Sequence, residues 1–244
     1  MAAFAGIATQ IFWAFIYVMI FRALYSEASH FEPISLTQTL SFLWLGQSMM
    51  PLLPFRLDKE IETQIRSGQV AYELLRPIDL YGVFFARSLA FRCIPVLLRS
   101  CPLWAIAGWF FQLQAPSSFT SLIGFVLSFG GAIVLSSAIT TLISITLFWT
   151  ISGDGIKRLI LPISSLLSGI LLPLPLFPEW MQSFLSWQPF RGLIDIPCRI
   201  YTGMIAAENV VFFLAFQIFW TGVFVWMGRT LLKKFIRRIA IQGG

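Results

Sequence analysis

Apolar runs of a length suited to crossing a lipid bilayer follow one another along almost the whole chain, and this repetition constrains the fold more than any motif does. The runs fall at approximately 4–24, 35–55, 90–112, 119–150, 160–176 and 208–228. A helix that spans the hydrocarbon needs roughly 20 apolar residues. Within the hydrocarbon every backbone N–H and C=O must find a partner inside the protein, which leaves helices or closed barrels as spanning structures, and runs this long favour helices. The chain is 57% hydrophobic and 11% charged over 244 residues, against about 25% charged in soluble domains. The expected fold is an all-α integral membrane protein of about six transmembrane helices. Residues 1–244 then form a single transmembrane domain, with no room for a separate soluble catalytic domain.

Two stretches break the pattern. Residues 56–80, RLDKEIETQIRSGQVAYELLRPIDL, mix acids and bases with Leu57, Ile61, Ile65, Tyr72 and Leu75 at helical spacing. This predicts a broken amphipathic helix outside the hydrocarbon, between spans two and three. After the fifth run, Pro173, Pro175 and Pro178 remove backbone donors and break the helix. Trp180, Met181, Phe184, Leu185 and Trp187 then share one face of a segment too short to cross, so a re-entrant or interfacial helix is expected between spans five and six. Pro51 and Pro54 kink or finish span two, while Ala132, Ser136, Thr140 and Ser144 form a small-residue stripe on span four that favours close helix packing.

The net charge of +6 does not indicate nucleic acid, because the basic residues sit at the ends of apolar runs rather than in a patch with interleaved aromatics. They set topology instead. Cytoplasmic termini place Arg56, Lys59, Arg66, Arg76, Arg87, Arg92, Lys157, Arg158 and the C-terminal Arg229, Lys233, Lys234, Arg237 and Arg238 inside. Arg22, Arg191 and Arg199 then lie outside and Arg99 within the bilayer. The inverted arrangement violates the positive-inside tendency. The expected location is a bacterial-type inner or plasma membrane, with the C-terminal cluster held to an anionic leaflet. The first run lacks a basic leader and a small-residue cleavage site, so it is expected to remain as a helix.

No catalytic residue and no metal site is expected. The single histidine, His30, lies in a short outer loop without a second ligand or base nearby. Cys93, Cys101 and Cys198 lack the spacing of a zinc or redox site and read as packing residues. No glycine precedes Lys59, Lys157, Lys233 or Lys234, so the Walker A pattern that cradles phosphates is missing; if ATP drives the protein, another chain binds it. An ion-coupled carrier needs ionisable groups inside its spans. Arg99 is the deep one here, and with Arg92, Pro95 and Ser88 it forms a deep polar stripe that fits either a cavity wall or an arginine satisfied by carbonyls. An ion-coupled secondary carrier and a non-transporting membrane scaffold subunit both stay open as readings.

The segments Ile65-Arg66-Ser67-Gly68-Gln69 and Glu73-Leu74-Leu75-Arg76-Pro77-Ile78 resemble the signature of the ABC-2 type exporter permeases, in the subgroup of small six-span subunits that work with a separate ATPase. The likeness extends to Gly169-Ile170-Leu171-Leu172-Pro173, to Phe177-Pro178-Glu179-Trp180, and to Pro197 with Ile200-Tyr201-Thr202-Gly203. It implies that the cytoplasmic helix after span two inserts into a groove of the ATPase. That coupling role would fall to Asp58, Lys59, Glu60, Glu62, Arg66, Gly68, Glu73, Leu75, Arg76 and Pro77, with Gly68 dividing the helix and the charge pattern fixing its register. It also implies an outward-facing re-entrant gate at Pro173, Pro175, Pro178 and Trp180, where the residues alone fit an interfacial helix equally well. The family arrangement is two ATPase subunits with two permease subunits, identical or similar. ATP and Mg are bound by the ATPase, and no cofactor by this chain. Members carry an amphipathic elbow helix ahead of span one, whereas this sequence enters span one almost at Met1, so an elbow contact with the ATPase is not carried over. A path lined by Phe, Trp, Leu and Ser or Thr implies an apolar or amphipathic cargo, moved out of the cytoplasm or inner leaflet.

Overall fold

A computed structural model describes residues 2–27, 34–54, 59–67, 69, 72, 78–111, 113–148 and 154–242. All regular elements among them are helical: α1 (Ala2–Glu27), α2 (Leu36–Ser48), α3 (Lys59–Arg66), α4 (Leu80–Phe110), α5 (Phe119–Thr146), α6 (Asp154–Ser168), α7 (Glu179–Trp187), α8 (Asp195–Tyr201) and α9 (Val210–Gln242). Short 3₁₀ turns sit at Met50–Leu52, Leu174–Leu176, Pro189–Gly192 and Ala207–Asn209.

Gly6–Ser26, Leu80–Phe110, Phe119–Thr146 and Ala207–Ile236 are long and apolar enough to cross a membrane. The α5 segment is 61% buried inside the protein, whereas the other three are 17–22% buried, so α5 forms the centre and the others present wide apolar faces outward. Its packing partners are α9, α8 and α4. The small-residue stripe at Ala132, Ser136, Thr140 and Ser144 is wholly buried, in keeping with a helix that is surrounded. On α1 the inward residues Gln10, Ala14, Val18 and Phe21 recur every three or four positions, while Phe12, Trp13, Phe15, Met19 and Ile20 face out. Both sides of α1 are largely apolar, so burial and not polarity distinguishes them.

The expected second and fifth spans are shorter as helices. Ser35 opens α2 with a capping box, its side chain accepting from the Gln38 N–H while Gln38 reaches back to the Ser35 N–H. The helix runs for 13 residues to Ser48 and tightens into the 3₁₀ turn at Met50–Leu52, because Pro51 lacks the N–H that would continue it. Helix α6 has 15 residues and stops before Gly169, whose φ of +88° lies in the left-handed region. A β-carbon at Gly169 would sit 3.4 Å from Phe42 Cζ and 3.5 Å from Asp195 Cβ. Gly169→Ala is therefore expected to cost about 1–2 kcal/mol from backbone strain, seen as a lower melting temperature in detergent.

Contacts at two ends tie the helices together. At one end Ile61 of α3 joins Leu80, Tyr81 and Phe84 of α4, Ile145 of α5 and Leu232 of α9 in a buried cluster. At the other, the Ser117 N–H donates to the Tyr201 carbonyl at 3.4 Å and Gln38 Nε2 to the Thr202 carbonyl at 3.3 Å, so α8 closes over the starts of α2 and α5.

Candidate functional site

The break at the end of α2 exposes backbone carbonyls that no helical N–H can reach, and neighbouring helices supply a donor for each. Pro51 has no N–H for the Gln47 carbonyl four residues earlier, and Gln10 Nε2 of α1 donates there at 3.0 Å. Ser100 of α4 donates to the Ser48 carbonyl at 3.2 Å. Arg92 Nη1 donates to the Pro51 carbonyl at 3.0 Å and to the Leu53 carbonyl at 3.4 Å, while Nη2 donates to Thr140 Oγ1. Ser136 of α5 donates to the Leu52 carbonyl. These donors are all buried, so the collar is dry and each bond replaces an otherwise unsatisfied group.

Arg92 is buried, and its guanidinium is held by the carbonyls at the end of α2. Arg99 is half-buried and lies against α1, where a β-carbon at Gly6 would approach its Cζ to 2.8 Å. The two arginines of the expected stripe therefore meet different elements, Arg92 the end of α2 and Arg99 the start of α1.

On α3, Lys59 and Glu60 are exposed, Glu62 is half-buried and Ile61 is fully buried. Arg66 ends the helix. Asp58, Gly68, Glu73, Leu75, Arg76 and Pro77 lie outside the described residues. Glu60 pairs with Arg87 of α4, and Arg229 of α9 pairs with Asp79 at 3.2 Å and lies over the Tyr81 ring. The hydrogen bond and charge of Arg87 hold the Glu60 carboxyl below the usual Glu range. A lowered folded-state pKa contributes stability that is present above the unfolded value of about 4.3 and lost as pH falls through the lower folded value. The separation of labels at Thr63 and Ala86 is accordingly expected to stay constant at neutral pH and to increase only in that acid window. Glu60→Gln is expected to abolish the dependence. The pair is water-exposed, so it sets register more than it adds stability.

Between α6 and α7 the breaks at Pro173, Pro175 and Pro178 are handled in the same way as at Pro51. Pro173 is buried, Pro175 half-buried and Pro178 exposed. Gln182 Nε2 donates to the Leu174 and Phe177 carbonyls at 3.0 and 2.8 Å, tying the 3₁₀ turn to α7. The aromatic face of α7 does not pack inward: Trp180 is 78%, Phe184 60% and Trp187 67% exposed, and Leu185 is the side chain that anchors the helix. Beyond it, Asp195 is fully buried between Arg191 and Arg199, at 3.4 and 3.5 Å, one helical turn to either side. Arg191 also donates to the Ser186 carbonyl at 2.7 Å and rests over the Phe213 and Phe216 rings. Gln217 Nε2 of α9 bridges the Ser128 and Gly192 carbonyls at 3.0 and 2.7 Å, pinning this connector to α5.

Sequence reasoning that counts only ionisable groups passes over Gln10, Gln182 and Gln217 and leaves Asp195 in a connection. The signal for the first and last is a glutamine inside an apolar run, where a polar amide is costly unless bonded. Of the cysteines, Cys198 is buried against Met49, Cys93 is half-buried and Cys101 faces outward, so packing describes Cys198 best.

A cavity of about 270 Å³ opens beside the collar, lined by Trp13, Tyr17, Gln47, Met50, Leu53, Ser165, Ile170 and Leu171. It adjoins the two places where α2 and α6 stop being helical, so the chain breaks and the cavity share walls.

A family model described as ABC-2 family transporter protein matches residues 6–243. No curated protein and no solved structure gives a match to the chain. Four helices fit for membrane crossing and a family match that runs from α1 through α9 together place this multi-pass membrane protein in the ABC-2 type transporter permease family, a membership that implies association with an ABC ATPase.

Proposed function

We propose that this chain is the permease subunit of an ATP-driven exporter that moves an apolar or amphipathic cargo out of the cytoplasm or inner leaflet. The observation that carries this reading is α3: a short helix fastened to the bundle by Ile61, with Lys59, Glu60 and Thr63 turned outward. That is the geometry a docking helix needs, with an apolar root and a charged outer face. The exposed basic residues Lys59, Arg229, Lys233 and Lys234 lie on α3 and α9, which meet in the cluster of Ile61 and Leu232, and this supports cytoplasmic termini in a bacterial-type inner or plasma membrane.

In this reading the membrane is crossed six times. Helix α2 and its 3₁₀ turn make the second crossing, with the collar satisfying the carbonyls of the broken end, and α6 with the turn at Gly169 makes the fifth. The segment from Pro173 to Trp187 forms the outer re-entrant or interfacial element. Two permease subunits, identical or similar, and two ATPases complete the transporter, with ATP and Mg held by the ATPases. The cavity walls of Trp13, Tyr17, Met50, Leu53, Ile170 and Leu171 suit an apolar body, and Gln47 and Ser165 offer it a polar contact.

The test is reconstitution of the complex in liposomes with a fluorescent amphipathic probe. Probe movement is expected to require ATP and to stop when the Walker A lysine of the ATPase is replaced. One observation favours an ion-coupled carrier as the second reading: Asp195 is a fully buried acid with its Oδ1 unbonded, and a carrier needs an ionisable group within the protein's membrane-embedded part. Movement without ATP, driven by an ion gradient and lost in Asp195→Asn, would support the carrier and overturn the exporter.

A further inference from the structure

The cavity beside the collar lies between α1, the broken end of α2 and the end of α6. Of its lining residues, Trp13 and Leu171 are exposed and mark its mouth. Around them α1 turns Phe12 and Phe15 outward and α6 turns Ile163 and Leu166 outward, so the mouth opens among apolar faces that suit lipid rather than water. None of the lining residues carries a formal charge. Arg92, behind the same segment of α2, is not among them, and its Nη atoms are taken up by the Pro51 and Leu53 carbonyls and by Thr140.

Gln47 is the most deeply buried polar residue of the lining, at 3% exposure. Its backbone carbonyl accepts from Gln10 and from the Met49 N–H, but its side-chain amide bonds to nothing among the described residues. The hydroxyls of Tyr17 and Ser165, both half-buried, are likewise unbonded among those residues. A buried amide is costly unless something pairs with it. Here the amide belongs to the lining of a cavity whose other walls are mostly apolar.

We propose that this cavity takes uncharged amphipaths that enter from the lipid, and that Gln47 selects their hydroxyl or amide head. The proposal deepens the exporter reading and rests on it for calling the ligand cargo. A charged head would leave water and meet no opposite charge in the wall, whereas a neutral head meets an amide that both donates and accepts. The volume of about 270 Å³ sets the size. It falls below the roughly 300–1,000 Å³ of pockets that enclose drug-sized ligands, so it holds a pair of rings or a short chain and not a whole lipid.

The experiment uses four photoreactive probes with one benzophenone body: para-benzoylbenzyl alcohol, the matching trimethylammonium, para-benzoylbenzoate, and para-methylbenzophenone, which lacks a polar head. The full chain, with whatever ATPase copurifies, is placed in phosphatidylcholine nanodiscs without nucleotide, and labelling of the peptide that contains Met50 is followed against probe concentration by mass spectrometry. The alcohol is expected to label saturably, and both charged probes to bind at least about tenfold more weakly. Gln47→Leu is expected to weaken the alcohol about three- to tenfold while the headless probe binds as well or better, because the stranded amide is gone. A general disturbance of the cavity would weaken both together. Should Gln47→Leu not fold, Ser165→Ala is expected to give the same split. Equal labelling by charged and neutral probes, equal losses for the alcohol and the headless probe, or labelling at Met50 that never saturates overturns the site. ATP-driven movement of the alcohol in liposomes separates the two readings. Selective binding without such movement keeps the site and overturns its part in export; movement without selective binding overturns the site and leaves the exporter.

Discussion

Asp195→Ala is expected to lower the stability of the folded protein by about 3–5 kcal/mol, the cost of stranding buried charge when one partner of a buried ion pair is removed. Asp195 is completely enclosed, and its carboxylate lies 3.4 Å from Arg191 and 3.5 Å from Arg199. Among the described residues Arg191 pairs with no other acid, being otherwise held by a carbonyl and two aromatic rings. Without Asp195, the guanidinium groups of Arg191 and Arg199, which flank it one turn to either side, lose the charge that lies between them. The check is chemical unfolding in detergent followed by tryptophan fluorescence. Asp195→Asn keeps an acceptor and loses the charge, so its effect should fall between alanine and the unaltered chain. A loss below about 1 kcal/mol for alanine, the size seen for surface pairs, would mean that both arginines reach water and that the triad does not hold the connector.

Ile61→Ala is expected to undock α3 while leaving the spanning helices folded. Truncating a buried isoleucine costs about 2–5 kcal/mol. Helix α3 has eight residues, and an isolated helix of that length is not stable in water, so it depends on its root in the cluster of Leu80, Tyr81, Phe84, Ile145 and Leu232. The loss should therefore appear locally. Hydrogen exchange over residues 59–66 is expected to approach that of an unprotected chain, with little change in the melting of the bundle, and the ATPase should no longer copurify. Ile61→Val, expected to cost about 0.5–1.5 kcal/mol, should keep most of the protection. Equal protection in the alanine variant would show that Glu60 and Arg87 alone suffice to hold α3.

The membrane class, the helical fold and the positions of the long helices are legible in the sequence because hydropathy and length respond to a single physical demand, backbone satisfaction in hydrocarbon. The ends of α2 and α6 are less legible. Pro51 signals a break, yet the place where α2 stops depends on Gln10, Ser100, Arg92 and Ser136 arriving from three other helices to satisfy its carbonyls. No local pattern encodes that meeting. Arg92 and Arg99 share a helical face seven residues apart, and spacing alone cannot say that one reaches the end of α2 and the other the start of α1. Trp180, Met181, Phe184, Leu185 and Trp187 read as one face of a short helix, yet the neighbours divide them: Leu185 is buried and Met181 half-buried, while Trp180, Phe184 and Trp187 are exposed. The alternation of acids and bases from Lys59 to Arg66 marks α3 as exposed, while the buried role of Ile61 rests on residues from α4, α5 and α9 that are distant in sequence.

Purification of the tagged full chain from native membranes in mild detergent tests most directly whether this chain takes its energy from a separate ATPase docked at α3. A Walker-motif protein is expected to come with it, the preparation to hydrolyse ATP, and both to fall when Glu60 is replaced by lysine. A chain that purifies alone from several detergents, with no associated ATP hydrolysis, would contradict it.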